Sequence, residues 1–362
     1  MKIALIGGGF DSIPSKKFGA IEMIIWNYKR DLEAAGHEVV IFNSQDLMRV
    51  AADINAGGFD FVELNYSEYV SFFSRHLTVP FCTVCHSGYI TNRKKWSIGY
   101  YSVFYDMMKS SGIITLSEDI RQLYLDNGYK GFVRVVRNGI DVENFTMREK
   151  GNDRAVCLGR IQARKRQAWL ARLISHTVDI DFIGPLHDDE FKAEGRARYC
   201  GFWMKNEVYE NLSKYSCLVL LSDGEAAPLV VPEALAAGLS IVVSQSASAN
   251  LDGSLPFVSI LPDDIFDSEL LAETINTQVR NNALYRPKII EYAKSYFDNK
   301  VVVDDFIEIA EEFRNSGSEE RVRYSIPFAK LPIYLVSKFA LFIKFSLRSF
   351  RRSLGKPNQT AL

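Results

Sequence analysis

Hydrophobic residues along the chain occur in short runs rich in β-branched side chains, and these runs alternate with longer segments of helical period. The first run occupies residues 2–7, and a segment with apolar residues at helical spacing follows from 18 to 36. The same order, strand and then helix, recurs up to about residue 140 and starts again at residue 155. This pattern is typical of parallel sheets whose two faces are covered by helices. It therefore predicts an α/β protein with two doubly wound, Rossmann-like domains.

Turn residues and changes in composition divide the chain into parts. With 362 residues, of which 47% are hydrophobic, the chain is long enough to form two cores. Two separate helices are predicted near the end of the second domain, at 268–279 and 287–297. The predicted parts are a first domain at 1–140, a linker at 141–154, a second domain at 155–298, a helix at 299–315 and a tail at 316–362.

Residues 215–244 form the most informative stretch. An apolar run at 217–221 leads through a Ser-Asp-Gly turn into a segment rich in Ala, Leu and Val, and a second β-branched run follows at 241–243. This order of strand, loop, helix and strand makes the two strands parallel neighbours in a sheet. Ligands bind where the carboxyl ends of such strands meet the starts of helices. The stretch therefore indicates a ligand site.

The start of the predicted helix would favour an anion. If the helix begins near Pro228 or Leu229, backbone N–H groups between Ala227 and Val230 point into the crevice without partners. We therefore expect this part of the chain to bind a phosphate group.

Two carboxylates lie at the same place, Glu225 and Glu233, eight residues apart. Glu225 would lie on the loop beside the anion, and Glu233 would lie about one turn inside the helix. The site would thus offer N–H donors to phosphate groups and carboxylates to hydroxyl groups. A sugar nucleotide presents both kinds of group.

This segment resembles the Glu-x7-Glu signature of a large family of retaining GT-B glycosyltransferases, the glycosyl transferases group 1 (family 4), which includes sucrose synthase. The positions that fit the family pattern are Ser222, Glu225, Leu229, Val230, Glu233, Ala234, Ala236, Gly238, Val242 and Val243. Ala226, Pro228 and Ser240 depart from it. The resemblance implies two domains that face each other across a cleft, with the helix at 299–315 returning to the first domain.

The resemblance extends to a Gly-Arg-x4-Lys motif after the first strand of the second domain. Arg160 and Lys165 match this motif, whose two cations hold the donor diphosphate in the family. Such a leaving group needs either fixed cations or a divalent metal ion. No Asp-x-Asp motif is placed to hold a metal, so we expect neither a metal nor a cofactor. By the same resemblance, Glu225 would act catalytically by binding hydroxyls of the donor sugar, and Glu233 would bind the ribose hydroxyls.

The first domain offers further candidates by resemblance. Gly19 fits a family glycine that lets the backbone approach the donor phosphate or sugar. His86 ends a strand where many members place a histidine near the transferred sugar, so we consider it a catalytic candidate, with a structural role as the alternative. Arg93, Lys94 and Lys95 follow in a loop among aromatic residues. This loop would either receive a phosphorylated or glycosylated acceptor or remain solvated.

Two motifs that favour other functions are incomplete. The glycines at 7–9 would open a dinucleotide site only with a glycine at position 12, where Ser12 stands, so a nicotinamide oxidoreductase is disfavoured. The segment Cys82-Thr-Val-Cys85-His86 matches a haem-attachment motif. It lies in a predicted strand, where side chains three residues apart point to opposite faces and cannot be bridged. We therefore expect Cys82 and Cys85 to be buried strand residues.

Charge is distributed unevenly along the chain. The formal net charge is −1, but residues after Glu320 include nine basic and no acidic side chains, which leaves −10 on residues 1–320. An acidic body with a basic tail argues against a nucleic-acid-binding protein and favours an enzyme that touches anionic lipid. The first apolar run is too short for a signal peptide, and the scattered cysteines suit a reducing cytoplasm.

The tail combines apolar and basic residues. Its apolar runs do not reach the ~20 residues that a membrane-spanning helix needs. As a helix, it would place basic residues on one broad side and Phe339, Ile343, Leu347 and Phe350 opposite them. This arrangement favours a helix in the membrane interface over residues 321–352, with the protein attached peripherally to the inner face of the cytoplasmic membrane. The alternative is a helix that packs on the protein body.

These features predict a metal-independent, retaining glycosyltransferase. It would move a sugar from a nucleotide-sugar donor to a saccharide or lipid-linked acceptor in bacterial cell-envelope polysaccharide synthesis, that is, of lipopolysaccharide, capsule or exopolysaccharide. A nucleotide-sugar epimerase of the same fold would use the donor without an acceptor. A non-catalytic, membrane-associated scaffold would keep the fold without the reaction.

Overall fold

The computed structural model of the chain describes residues 1–15, 19–91, 98–265, 267–316 and 326–353. In the first domain, strands and helices alternate. They are β1 (Lys2–Ile6), α1 (Ala20–Ala34), β2 (Glu38–Phe42), α2 (Leu47–Ala56), β3 (Phe61–Leu64), α3 (Val70–His76), β4 (Cys82–Cys85), α4 (Ile98–Met107), β5 (Gly112–Thr115), α5 (Glu118–Asp126) and β6 (Phe132–Val135). These strands form one parallel sheet in the order β2-β1-β3-β4-β5-β6.

The second domain repeats this plan. Its elements are β7 (Ala155–Leu158), α6 (Gln167–Ile174), β8 (Ile180–Ile183), β9 (Ala197–Tyr199), α7 (Lys205–Asn211), β10 (Cys217–Leu220), α8 (Val230–Ala236), β11 (Ser240–Ser244), β12 (Val258–Leu261) and α9 (Ser268–Tyr296). The sheet is parallel in the order β12-β11-β10-β7-β8-β9. The prediction of two doubly wound α/β domains is confirmed.

In each sheet the strand that comes first in the chain, β1 or β7, lies inside the sheet and has later strands on both sides. In such sheets the ligand crevice opens at the carboxyl ends of the strands, where the strand order reverses. The strands themselves are apolar because helices cover both faces, and every residue of β5 and β10 is buried. Polar chemistry is therefore expected in the loops that follow the strands.

Helix α9 corrects one expectation from the sequence. The two helices predicted at 268–279 and 287–297 are one continuous helix that contains Pro287. A proline inside a helix costs about 3 kcal/mol because it removes a hydrogen bond and clashes with the preceding turn. Tertiary contacts offset this cost: the buried Arg286 donates to the carbonyls of Gly238, Ser213 and Tyr215 at 3.2, 3.1 and 2.7 Å.

Helix α10 (Asn299–Asn315) leaves the second domain and packs on the first. Phe306 is fully buried among first-domain residues, with its ring 4.8 Å from that of Tyr28 and 5.5 Å from that of Phe61. The ring of Phe313 also lies 5.5 Å from the ring of Phe61. The end of the second domain is therefore fixed to the first-domain core.

The first half of helix α11 (Leu331–Ser353) packs on α4 of the first domain. The Tyr334 hydroxyl donates to Asp106 at 2.7 Å, Lys338 forms an ion pair with the same carboxylate, and the Ser337 hydroxyl accepts from the Ser102 N–H at 2.7 Å. Packing on the protein body, the alternative considered for the tail, therefore holds for this half.

The opposite side of α11 is exposed and apolar. Leu335, Val336, Phe339 and Ile343 lie on it, and Phe328, just before the helix, is 89% exposed. Residues 321–325 and the side chains of Leu347 and Phe350 lie outside the description. Within the described ranges, no helix combines the length and the hydrophobicity that crossing a membrane requires.

Candidate functional site

A cavity of about 770 Å³ lies between the two domains. Its first-domain wall is built from the loops after β1, β3 and β4 and from α4, and includes Tyr66, His86 and Tyr100. Its second-domain wall includes Arg164 and Glu225. The carboxyl ends of strands from both sheets thus face the same space, as expected for a ligand site in this fold.

The two domains touch beside the cavity. Gly88 lies so close to the second domain that a Cβ atom on it would be 2.1 Å from both the carbonyl carbon of Glu225 and the amide nitrogen of Ala226. The Asn138 amide also donates to the carbonyl of Ala227 at 2.8 Å. The loop that carries Glu225 is therefore held against the first domain.

Glu225, on the second-domain wall of the cavity, lies close to two cations. Its Oε1 atom lies 2.9 Å from Nη1 of Arg164 and 3.4 Å from Nζ of Lys165. Burial raises the pKa of Glu225, but the charges of Lys165 and Arg164 outweigh it and hold the pKa below its ordinary value. The carboxylate is therefore ionised at neutral pH.

Part of the hydrogen-bonding capacity of Glu225 is unused within the described part of the chain. Nη1 of Arg164 donates to the carbonyl of Gly224 at 2.7 Å and forms an ion pair with Oε1 of Glu225. Oε1 of Glu225 is buried and accepts no hydrogen bond from a described residue. A buried carboxylate oxygen in this state is costly unless a ligand supplies a donor.

The cations near Glu225 differ in part from those in the sequence motif. The structure brings Lys165 to Glu225, and the second partner is Arg164, to which the motif gives no role. Arg160 is half-buried and forms no ion pair with any described residue. Arg166 takes a left-handed backbone conformation, with φ 56°, directly after the short 3₁₀ turn at 163–165. Four cations therefore belong to this loop, Arg160, Arg164, Lys165 and Arg166, and adjacency to Lys165 was the available signal for Arg164.

Glu233 lies in the first turn of α8 and is almost buried, but it does not line the cavity. Its Oε1 atom forms an ion pair with Nζ of Lys205, the first residue of α7. Burial lowers the pKa of Lys205, but the Glu233 carboxylate outweighs it and raises the pKa above its ordinary value. Sequence reasoning missed Lys205, which lies 28 residues from Glu233 in the chain.

The segment predicted to offer N–H groups to a phosphate begins close to where the sequence placed it. Helix α8 begins at Val230 and Leu229 is its N-terminal cap. In this segment the described residues that line the cavity are Gly224, Glu225 and Ala226, so Ala227, Pro228, Leu229 and Val230 lie beyond its wall.

His86 lies on the opposite wall, at the end of β4. Its Nε2 atom is 2.9 Å from Oδ1 of Asn65, and Nδ2 of Asn65 donates to Oε1 of Glu63 at 2.7 Å. Burial lowers the pKa of His86 to about 4. Burial likewise raises the pKa of Glu63 to about 7, although the hydrogen bond from Asn65 acts in the opposite direction. His86 is therefore a neutral imidazole at neutral pH.

Gly19 precedes α1 and its small size has a local reason. A Cβ atom at this position would lie 2.1 Å from Oε2 of Glu22, a buried carboxylate in the first turn of α1. Glu22 accepts a hydrogen bond of 2.5 Å from the hydroxyl of Tyr66, which lines the cavity. Gly19 thus leaves room for Glu22.

The remaining candidates of the sequence are the basic loop of the first domain, the two cysteines of β4 and a metal site. Arg93, Lys94 and Lys95 lie outside the described residues. Cys82 and Cys85 are buried in β4 and unbridged. The described ranges contain no group of three His, Cys, Asp or Glu side chains that could hold a metal ion.

Comparison with known sequences identifies one part of the chain. Residues 152–277 match the family model of glycosyl transferases group 1. This match covers most of the second domain, including the loop with Arg160, Arg164 and Lys165 and the loop with Glu225. A search of curated proteins found no match.

Comparison with solved structures covers the whole two-domain body. HepE from Anabaena, in complex with UDP and glucose, is 16% identical, with a TM-score of 0.66 over 86% of this chain and 100% of HepE. Sucrose-phosphate synthase from Thermosynechococcus elongatus is 14% identical, with a TM-score of 0.68 over 87% of this chain and 99% of the synthase. The lipopolysaccharide outer core galactosyltransferase WaaB is 15% identical, with a TM-score of 0.63 over 86% and 99%. The chain therefore has the GT-B fold, and its second domain matches the glycosyl transferases group 1.

Proposed function

We propose that this protein is a retaining glycosyltransferase that moves a sugar from a nucleotide-sugar donor to a saccharide or lipid-linked acceptor. The observation that carries the proposal is the buried Glu225 carboxylate, which lies in the interdomain cavity between two cations and has an oxygen without a hydrogen-bond donor among the described residues. The family match over residues 152–277 and the UDP-bound structure of HepE support the choice of a nucleotide-sugar donor.

In this proposal the second domain binds the donor. Oε1 of Glu225 accepts a hydrogen bond from a hydroxyl of the transferred sugar. Arg160, Arg164 and Lys165 surround the diphosphate, and Glu233 turns from Lys205 to the ribose hydroxyls. Fixed cations stabilise the charge of a departing nucleoside diphosphate without any reorganisation during the reaction. We therefore propose that the reaction proceeds without a metal ion or another cofactor.

The proposed reaction retains the anomeric configuration. The bond between the anomeric carbon and the phosphate oxygen breaks, and the acceptor oxygen forms its bond to the same face of that carbon. The departing phosphate oxygen takes the proton of the acceptor hydroxyl, so the step needs no base from the protein. Contact between the domains at Gly88 supports this scheme, because domains that touch beside the cavity limit the access of water that would hydrolyse the donor.

We also propose that the protein acts in bacterial cell-envelope polysaccharide synthesis, on the inner face of the cytoplasmic membrane. The likeness to WaaB supports the pathway. The exposed apolar side of α11 supports membrane contact, because large exposed apolar patches commonly mark such surfaces. Vesicles of phosphatidylglycerol and of phosphatidylcholine test this in a flotation assay. Phe339→Glu should abolish binding to the anionic vesicles, whereas Met48→Glu, at an exposed methionine of α2, should not; equal binding by both variants contradicts it.

The decisive experiment for the activity is a transfer assay. The full chain is incubated with a panel of nucleotide sugars and with saccharide and lipid-linked acceptors, and the anomeric configuration of the product is read by NMR. We expect retention with wild type and loss of product with Glu225→Gln, but not with Glu291→Gln at an exposed position of α9. Inversion contradicts the mechanism, and an epimerised donor without acceptor identifies an epimerase. Full transfer by Glu225→Gln contradicts the role of Glu225, and a Glu225→Ala variant that leaves the function in cells intact favours the scaffold.

A further inference from the structure

A buried polar chain lies beneath the first-domain wall of the cavity. It begins at Glu63 in β3, passes through Asn65 and ends at His86. Because side chains two residues apart in a strand share one face, Glu63 and Asn65 point to the same side of the sheet. Strand β4 is the parallel neighbour of β3, so the residue after its end, His86, meets Asn65 directly.

Glu63 and Asn65 are isolated from water, so their hydrogen bonds must be satisfied within the protein. Glu63 and Asn65 are 1% and 2% exposed. Oε2 of Glu63 is buried and has no hydrogen-bond partner among the described residues, so Asn65 is the partner that the Glu63 carboxyl has there. The orientation of the Asn65 amide therefore decides which groups the chain satisfies.

The chemistry of an amide restricts this orientation. Asn65 has one end that donates and one that accepts. Its NH₂ group donates to Oε1 of Glu63, an oxygen that accepts whether the carboxyl is ionised or protonated, and this leaves the carbonyl oxygen for His86. An oxygen that accepts requires a proton on Nε2 of His86. A neutral imidazole with a proton on Nε2 has a lone pair on Nδ1.

The remaining ring nitrogen is the one available to a ligand. His86 lines the cavity, its Nε2 atom is committed to Asn65, and Nδ1 makes no hydrogen bond with a described residue. A lone pair there accepts a hydrogen bond from a hydroxyl group, which sugars carry in every ring. It would repel a carboxylate at the same place.

We propose that Asn65, oriented by Glu63, is a positioning residue that holds the proton of the His86 ring on Nε2, so that Nδ1 accepts a hydrogen bond from a hydroxyl of the bound sugar. The second half of this statement rests on the proposed glycosyl transfer, whereas the tautomer does not. His86 then acts by binding and orienting the sugar and does not move a proton.

The tautomer can be read without any substrate. The full chain is labelled with ¹⁵N-histidine, and the signals of His86, one of five histidines, are assigned by their loss in His86→Asn. Wild type should show a protonated Nε2 and an unprotonated Nδ1 throughout the neutral range. Asn65→Leu should give a mixture of the two tautomers, and Asn281→Leu, at an exposed position of α9, should leave the pattern of wild type.

A second variant, Asn65→Asp, distinguishes an effect on His86 from a loss of the fold. Asn65→Asp keeps an acceptor beside Nε2 but adds a negative charge, so the protonation midpoint of His86 should rise by about one pH unit or more. A proton on Nδ1 in wild type overturns the proposal. It is equally overturned if Asn65→Leu keeps the tautomer of wild type, or if Asn65→Asp does not move the midpoint.

The contact with the sugar is tested with the nucleotide sugar found active in the panel assay, compared with its own nucleoside diphosphate. The nucleotide sugar should shift the Nδ1 signal of His86, and the nucleoside diphosphate should not. Equal shifts, or none, contradict the contact. If the tautomer is as proposed but no nucleotide sugar is turned over, the proposed function fails and the positioning of His86 by Asn65 stands.

Discussion

In the first domain, the buried Glu63 carboxyl faces a neutral partner, the amide of Asn65, whereas in the second domain the Glu225 carboxyl lies between Arg164 and Lys165. Both acids are buried, yet their pKa values move in opposite directions. Burial raises the pKa of Glu63 to about 7, while the neighbouring cations hold the pKa of Glu225 below its ordinary value. The partners, and not the burial, decide the charge.

Because of this difference, the two walls of the cavity offer different groups to a ligand. The second-domain wall concentrates fixed positive charge, which suits a diphosphate. The first-domain wall presents the neutral His86 imidazole and the Tyr66 ring together with the acidic side chains of Asp11 and Glu68, and these groups suit the hydroxyl groups and faces of a sugar. Each of the following changes either breaks this division or measures it.

Replacing Glu225 should have the largest effect. Glu225→Ala removes the acceptor for a sugar hydroxyl and leaves Arg164 and Lys165 without their counter-ion. We expect kcat/KM for transfer to fall about 10³-fold, as for the loss of a preorganised hydrogen-bonding group in an active site that excludes water. Glu291→Ala, at an exposed position of α9, is the matched control and should behave as wild type. An equal loss in both variants would show that the effect is not local.

Replacing Glu63 should reveal the opposite behaviour of the other wall. Burial raises the pKa of Glu63 to about 7 from its ordinary 4.5, so its contribution to stability is fully present below about pH 4.5 and lost as the pH rises through 7. Between about pH 4 and pH 8, wild type should lose about 3 kcal/mol relative to Glu63→Gln. Chemical unfolding of both proteins at several pH values measures this difference. A constant difference would contradict the neutral environment of Glu63.

Moving the two walls of the cavity apart should slow the transfer reaction. A Cβ atom in Gly88→Ala would collide with the backbone of Glu225 and Ala226, at 2.1 Å. A displacement of about 1 Å between reacting groups can cost about 10²-fold in rate, so we expect a loss of that order in kcat. Gly253→Ala, where the added atom meets only the end of the Ile260 side chain, is the control. Unchanged turnover in Gly88→Ala would mean that the contact is not needed for the reaction.

Single removals of the cations should have the smallest effect, because the other two of the three proposed to hold the diphosphate remain. Arg160→Ala, Arg164→Ala and Lys165→Ala should each weaken binding of the nucleoside diphosphate about 10-fold, the value of one charged contact. Calorimetric titration measures this, with Arg172→Ala on the exposed side of α6 as control. If Arg164→Ala binds the nucleoside diphosphate with wild-type affinity, only the two motif residues, Arg160 and Lys165, bind the diphosphate.

The fold could be predicted because its signal is local. Buried strands and amphipathic helices leave their period in the sequence, and the loop with Glu225 follows directly from such a strand. The prediction failed at Pro287, where a local rule against proline inside a helix was overcome by contacts of Arg286 with residues 48 and more positions away.

The candidate site was only partly predictable because its partners are distant in sequence. The pair of Glu233 and Lys205 and the chain from Glu63 to His86 join residues on different elements, 28 and 21 positions apart at their longest links. Arg164 was missed for a different reason: the sequence motif gives a role to Arg160 and Lys165 only, although Arg164 is adjacent to Lys165.

The central claim is that fixed cations of the second-domain wall replace a metal ion in neutralising the donor diphosphate. The most direct test is the initial rate of glycosyl transfer by wild type before and after the addition of excess EDTA. The account predicts the same rate in both samples. A rate that disappears with EDTA and returns with excess magnesium would contradict it.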